Sequence, residues 1–114
     1  MGNINNFSIK KFINELNSSL LKNYPEFKGT YFFGSRAFGY EQQHSDYDIA
    51  IIFDRFIDWK FESKISEVLV DLMLKYNVVI DYKIYSSSDI LNPITDFRRM
   101  IKEKGIFFNV KRNS

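Results

Sequence analysis

Apolar residues recur along this chain first at helical and then at strand spacing, and the switches between the two rhythms divide it into elements. Ile9, Phe12, Ile13, Leu16 and Leu20 fall on one stripe of a helix, with lysines and asparagines opposite. Ser8 is placed to cap that helix and Pro25 to close it, so it should run to about Tyr24. Thr30 to Phe33 reads as a short buried strand that delivers Gly34 and Ser35 at its end. Ser35 is expected to cap a single helical turn that Gly39 ends, and residues 40–45 form a polar loop. A strand follows from about Asp46 to Phe53. Its tail, Ile49 to Phe53, is apolar at every position, which predicts cover on both faces and a central place in a sheet.

Asp58 should cap a helix from Trp59 to Tyr76 with Phe61, Ile65, Val68, Leu69, Leu72 and Tyr76 on its buried stripe. Val70 and Leu74 lie off that stripe and either widen it or meet a partner. Val78 to Tyr85 is β-branched and aromatic, a third strand with Asp81 in its middle. Ser86 to Ser88 should turn, Asn92 and Pro93 should start a helix reaching Lys104, and Gly105 should stop it. Ile106 to Val110 adds a short edge strand. The expected fold is α/β (α+β), a small mixed central β-sheet flanked by helices.

Length and composition narrow the picture. A chain of 114 residues suits one domain over residues 1–114. Hydrophobic content of 45% and aromatic content of 18% exclude a disordered chain. Without cysteine, neither a disulfide framework nor a thiolate zinc site can form, which fits a reducing, cytoplasmic setting. No apolar run approaches the roughly 20 residues that span a bilayer, so no membrane partner is expected. A net charge of +2 is too small to argue for direct nucleic-acid binding.

The candidate chemistry lies around the second strand. Asp46 and Asp48 are two apart and would share a face. Carboxylates that close repel, and a divalent cation with hard oxygen ligands relieves them. The Gly34-Ser35 turn offers backbone N–H groups and a hydroxyl to phosphate. Asp81 sits in an apolar strand, where an unpaired charge is costly. It either joins Asp46 and Asp48 around one or two Mg²⁺ ions or pairs with Lys83, its neighbour on the same face. Lys83 in turn neutralises Asp81 or a triphosphate, and Arg36 either touches phosphate or is an ordinary surface arginine. His44 reads as a solvated loop residue. Arg98, Arg99, Lys102 and Lys104 read as a solvated face complementing a helix C-terminus. Phe107 and Phe108 either complete the core or dock a partner.

Gly34-Ser35, ten intervening residues and Asp46-x-Asp48 resemble the signature of the DNA polymerase β-type nucleotidyltransferase superfamily. The short chain resembles its minimal nucleotidyltransferases, many of them antitoxins paired with a HEPN-domain RNase toxin. The resemblance is carried by Thr30 to Asp54 and, less fully, by Val78 to Tyr85. It implies that Gly34 and Ser35 hold the β- and γ-phosphates of an NTP, with ATP as substrate. It also implies that Asp46 and Asp48 hold two Mg²⁺ ions, and that Asp81 binds the second and helps ionise the incoming hydroxyl. Phe38 departs from the pattern, because relatives often carry a basic residue there; either nucleotide affinity is modest or Arg36 and Lys83 compensate. The activity implied is nucleotidyl transfer to a hydroxyl with release of pyrophosphate. The acceptor implied is a tyrosine of a cognate HEPN toxin, AMPylated within a hetero-oligomer. Two alternatives stay open: a non-catalytic antitoxin acting by occlusion, and a small-molecule transferase of the aminoglycoside type.

Overall fold

The computed structural model describes residues 7–39 and 46–110. The predicted loop with His44 lies outside them. The elements run α1 (Ile9–Asn23), β1 (Phe27–Phe33), α2 (Ser35–Phe38), β2 (Tyr47–Phe53), α3 (Trp59–Tyr76), β3 (Ile80–Ser86), α4 (Ser87–Leu91), α5 (Asp96–Lys104) and β4 (Ile106–Asn109). The four strands form one sheet in the order β3-β2-β1-β4. β2 pairs antiparallel with β1 and parallel with β3, and β4 pairs antiparallel with β1. The sheet is therefore mixed, and the apolar β2 occupies an interior position, as its composition requires. Its parallel neighbour β3 is reached through α3, the long crossover that parallel pairing demands.

Alternation along β2 divides the core. Ile49, Ile51 and Phe53 point towards α1 and α3, where they meet Phe12, Ile13, Leu16, Leu20, Phe61, Ile65 and Leu69. Ala50 and Ile52 point the other way and pack with Phe33, Ile90 of α4 and Ile101 of α5. An irregular register between Phe27 and Gly29 turns Phe27 onto the α1/α3 face beside Phe32.

Several boundaries differ from the sequence expectation. β1 starts at Phe27, earlier than Thr30. β3 starts at Ile80, because Asn77 takes the left-handed conformation after α3 and the Val78 N–H bonds back to Met73 O at 3.1 Å. Val78 thus belongs to the helix closure. Gly34, not Ser35, is the N-cap of α2, with φ of 87°. The helix expected from Asn92 begins only at Asp96, and the turn expected over Ser86 to Ser88 opens a further helix, α4. Ser86 and Asp89 form a capping box that starts α4 directly at the end of β3, and Asn92 ends it. Thr95 then caps α5 by accepting from Arg98 N at 3.1 Å, so Pro93 lies in the connection instead of the first helical turn. Asn17, expected on the polar side of α1, is buried. It accepts from Thr30 Oγ1 at 2.7 Å and donates to Phe108 O at 3.1 Å, tying α1, β1 and β4 together. Phe108 packs on the core, whereas Phe107 stands half-exposed against Tyr31.

Candidate active site

The site is built where three strand ends meet. Antiparallel register sets Phe33 opposite Asp48, and parallel register sets Asp81 on its other side. Because Ala50 and Ile52 face α4 and α5, Asp48 faces that side too, while Asp46 precedes the strand and lines a hollow with Tyr47. On β3, Ile80 and Ile84 face the α1/α3 core, which leaves Asp81 and Lys83 on the face of Asp48. Asp81 is thereby brought to Asp48 by the sheet, although 33 positions separate them in the chain.

Electrostatics register the crowding. Burial pushes the Asp48 carboxyl up to about 6, reinforced by Asp81 as both a negative charge and a hydrogen-bond partner and by the charge of Asp46. Lys83 opposes the shift. The Lys83 Nζ lies 3.7 Å from Asp81 Oδ1, so Asp81 contacts both groups between which its sequence left it divided. Among the described residues, no three acidic or histidine side chains form a ready metal cage. Asp46 is exposed one step upstream of the Asp48/Asp81 pair. The donor chemistry nevertheless fits a hard divalent cation: carboxylate oxygens close together, one of them pushed towards protonation by burial and by its acidic neighbours.

Gly34 bears on the pair in a way its motif does not disclose. A Cβ built there would overlap Asp48 Oδ2, so the carboxylate lies directly against the glycine backbone. The positive φ of Gly34 then turns the chain into α2, and the Ala37 and Phe38 N–H groups bond back to Gly34 O at 3.1 Å each. Ser35 opens that turn, where the first N–H groups of a helix have no intrahelical acceptor. Gly39 closes it in the left-handed conformation.

Arg36 is held by Tyr47 and lines one hollow with it and Asp46. Its guanidinium lies over the Tyr47 ring, 4.3 Å from the centroid, and Nη1 donates to the Tyr47 hydroxyl at 3.3 Å. Tyr47 sits between the two aspartates in sequence and faces the α1/α3 side, packed by Phe7 and Phe32. Sequence reading passed over Tyr47. The only signal for it was an aromatic between two acidic residues, at a position that alternation assigns to the opposite face. The basic residues of α5 are also more engaged than expected: Arg98 pairs with Asp89 at 3.5 Å and lies over Tyr85, and Lys102 donates to Leu91 O at 3.1 Å.

Comparison with known proteins bears on the family and the fold. The family described as polymerase beta nucleotidyltransferase matches residues 15–106. A candidate nucleotidyltransferase from Sulfolobus solfataricus shares the fold with a TM-score of 0.53 at 18% identity, over 86% of this chain and 77% of that one. A chain from a mutant of the toxin–antitoxin MntA-HpeT does so with a TM-score of 0.57 at 21% identity, over 93% of this chain and 75% of that one. No curated protein matches the sequence. No described helix is long and apolar enough to cross a membrane. With the family pattern spanning most of the chain and the strand ends assembled as above, the chain belongs to the polymerase beta nucleotidyltransferase family.

Proposed function

We propose that the chain transfers an adenylyl group from ATP to a protein hydroxyl in an Mg²⁺-dependent reaction, as the antitoxin of a toxin–antitoxin pair. The observation that carries the chemistry is the in-register pairing of Asp48 with Asp81 on an open face, one strand from the Gly34-Ser35 turn. In this reading Gly34 and Ser35 receive the β- and γ-phosphates, and Asp46, Asp48 and Asp81 hold Mg²⁺. The metal, when bound, offsets charge on the reacting phosphate and on the leaving pyrophosphate. The acceptor oxygen forms a bond to the α-phosphorus, the α–β phosphoanhydride bond breaks, and pyrophosphate departs. Asp81, at the outer side of the pair, is placed to take the proton of the incoming hydroxyl. Lys83, beside it, meets charge on the triphosphate. No covalent enzyme intermediate is needed.

The partner rests on different grounds. The sequence resembles minimal nucleotidyltransferases that pair with HEPN toxins, and the fold resembles a chain of the MntA-HpeT toxin–antitoxin. A tyrosine of the cognate HEPN toxin is the acceptor of this reading. Incubating the protein with labelled ATP, Mg²⁺ and the product of the adjacent gene should label that product. Asp46→Asn and Asp48→Asn should each lower transfer at least about a hundredfold, the scale on which loss of charge stabilisation acts. Undiminished transfer in both variants would sink the mechanism.

Val70 and Leu74 favour a second reading. They are 45% and 75% exposed on the outer face of α3, where an antitoxin acting by occlusion would contact its toxin. Neutralisation of the toxin by an Asp46→Asn/Asp48→Asn double variant would select it.

A further inference from the structure

The chain leaves the sheet at Ser86, opposite Phe53 and thus at the end away from Asp48. By Phe97 it is back at the carboxylate end, where that ring meets Phe33 edge-on with centroids 5.6 Å apart. Phe33 is the register partner of Asp48. The connection between α4 and α5 therefore climbs the sheet on the face of the carboxylates. Ile90 before it and Ile101 after it are anchored in the core. Leu91, Ile94 and Phe97 instead meet solvent, at 63%, 83% and 43% exposure. Exposed apolar side chains gathered in one short stretch form a patch, and such a patch marks a contact surface.

Cations of α5 hold the connection in this arrangement. Lys102 donates to Leu91 O at 3.1 Å, and Arg99 donates to Pro93 O at 3.4 Å and to Asp96 Oδ1 at 2.8 Å. The apolar side chains thus stand on a fastened backbone, which lowers the ordering cost of binding. The surroundings limit what can cover them. α5 carries Arg98, Arg99, Lys102 and Lys104 against Asp96 and Glu103, so the rim is net positive. A second copy of the chain would set like charge against like charge across a two-fold contact. Single-stranded nucleic acid stacks its bases on aromatic rings, and Leu91 and Ile94 offer none. A polypeptide segment with apolar side chains and flanking carboxylates matches both the patch and its rim. Position adds a functional constraint. A protein seated here stands on the side of the sheet that carries Asp48 and Asp81, whereas one seated on Val70 and Leu74 stands behind it.

We propose that Leu91, Ile94 and Phe97 are the docking surface for the protein that carries the acceptor hydroxyl, and that they engage an apolar segment of it flanked by acidic residues. The assignment rests on the nucleotidyl-transfer reading and adds where the acceptor is held. It is tested with the full chain, labelled ATP, Mg²⁺ and increasing amounts of the adjacent gene's product, alongside calorimetric titration of that product. Leu91→Asn with Ile94→Asn should raise both the KM for the product and its Kd at least about tenfold, the scale of apolar residues central to an interface. The same variant should keep its kcat, its ATP affinity and its melting temperature, because both side chains lie outside the core and the carboxylate cluster. Lys104→Glu should weaken binding of the product at low salt and lose that effect at high salt. An unchanged KM and Kd in the double variant would overturn the assignment. So would a loss of ATP binding in it, self-association of the chain that it abolishes, or a loss confined to Val70→Lys with Leu74→Lys. Tighter binding by Lys104→Glu would overturn the acidic character given to the partner. If the unaltered protein binds the product and transfers no label, the transfer reading falls, and the Kd of the double variant still decides the docking surface. No binding of the product at all would overturn the docking surface itself.

Discussion

At the scale of single residues, Gly34 and Asp48 are coupled more tightly than a motif shows. Gly34→Ala would set a Cβ against Asp48 Oδ2 and would hold a side chain at φ of 87°. Strain of this kind costs about 1–3 kcal/mol. The variant should unfold at lower urea concentration and lose transfer, because the only relief is to move the Asp48 carboxylate. Asp48 also predicts a pH dependence. Its carboxyl is raised from 3.8 to about 6 in the fold, so the folded state binds the proton more tightly than the unfolded chain. Its contribution is therefore most favourable below pH 4 and is lost as pH rises through about 6. In metal-free protein, Asp48→Asn should raise the melting temperature at pH 7 and remove that part of the decline between pH 4 and 6. Thermal melts across this range, compared between the two proteins, measure it.

At the scale of elements, the buried polar bridge from Asn17 decides how the edge strand β4 is held. Thr30, which is fully buried, donates to Asn17, and Asn17 donates to the β4 carbonyl of Phe108. Asn17→Leu leaves the Thr30 hydroxyl and the Phe108 carbonyl without these partners, at about 1–3 kcal/mol for each buried group. Hydrogen exchange should accelerate first in β4 (Ile106–Asn109), the strand paired only to β1. The helical stripes and the alternating helices and strands from α1 to β3 were legible in the sequence, because periodicity reports which side of an element meets a core. Asn17 was not legible. Its neighbours Phe12, Ile13, Leu16 and Leu20 are apolar, and only the docking of α1 across β1 and β4 shows that an asparagine is needed among them. The start of the last helix and the presence of α4 were misread for a local reason: Asn92-Pro93 is a good start signal, but Ser86 with Asp89 caps α4 before it and Thr95 caps α5 after it.

At the scale of the whole molecule, the outer face of α3 exposes apolar side chains among the described residues. Val70 and Leu74 project from α3 on the side away from the Asp48/Asp81 face. A partner docked there would leave the proposed transfer face accessible, so occlusion and catalysis can be separated by variant. Val70→Lys with Leu74→Lys should weaken a complex seated on α3 by at least about tenfold, the scale expected for apolar residues central to an interface. The double variant should leave the folded chain's melting temperature within a few degrees, because neither side chain belongs to the core. Size-exclusion chromatography of the mixture reads the first effect and a thermal melt the second.

The sequence by itself determined the elements of the proposed site: a Gly-Ser turn after one strand, two aspartates at the head of the next, and a third aspartate that an apolar strand could not carry without a partner. These follow from local rules of spacing, capping and solvation, which act within a few residues. Tertiary structure decided which of those groups meet. Parallel pairing of β2 with β3 set Asp81 beside Asp48, and antiparallel pairing with β1 laid Gly34 against the same carboxylate. The fold also set the Arg36 guanidinium over the Tyr47 ring. Register between strands and the direction of a side chain at a strand end depend on contacts between distant segments, and no periodicity within one segment contains them.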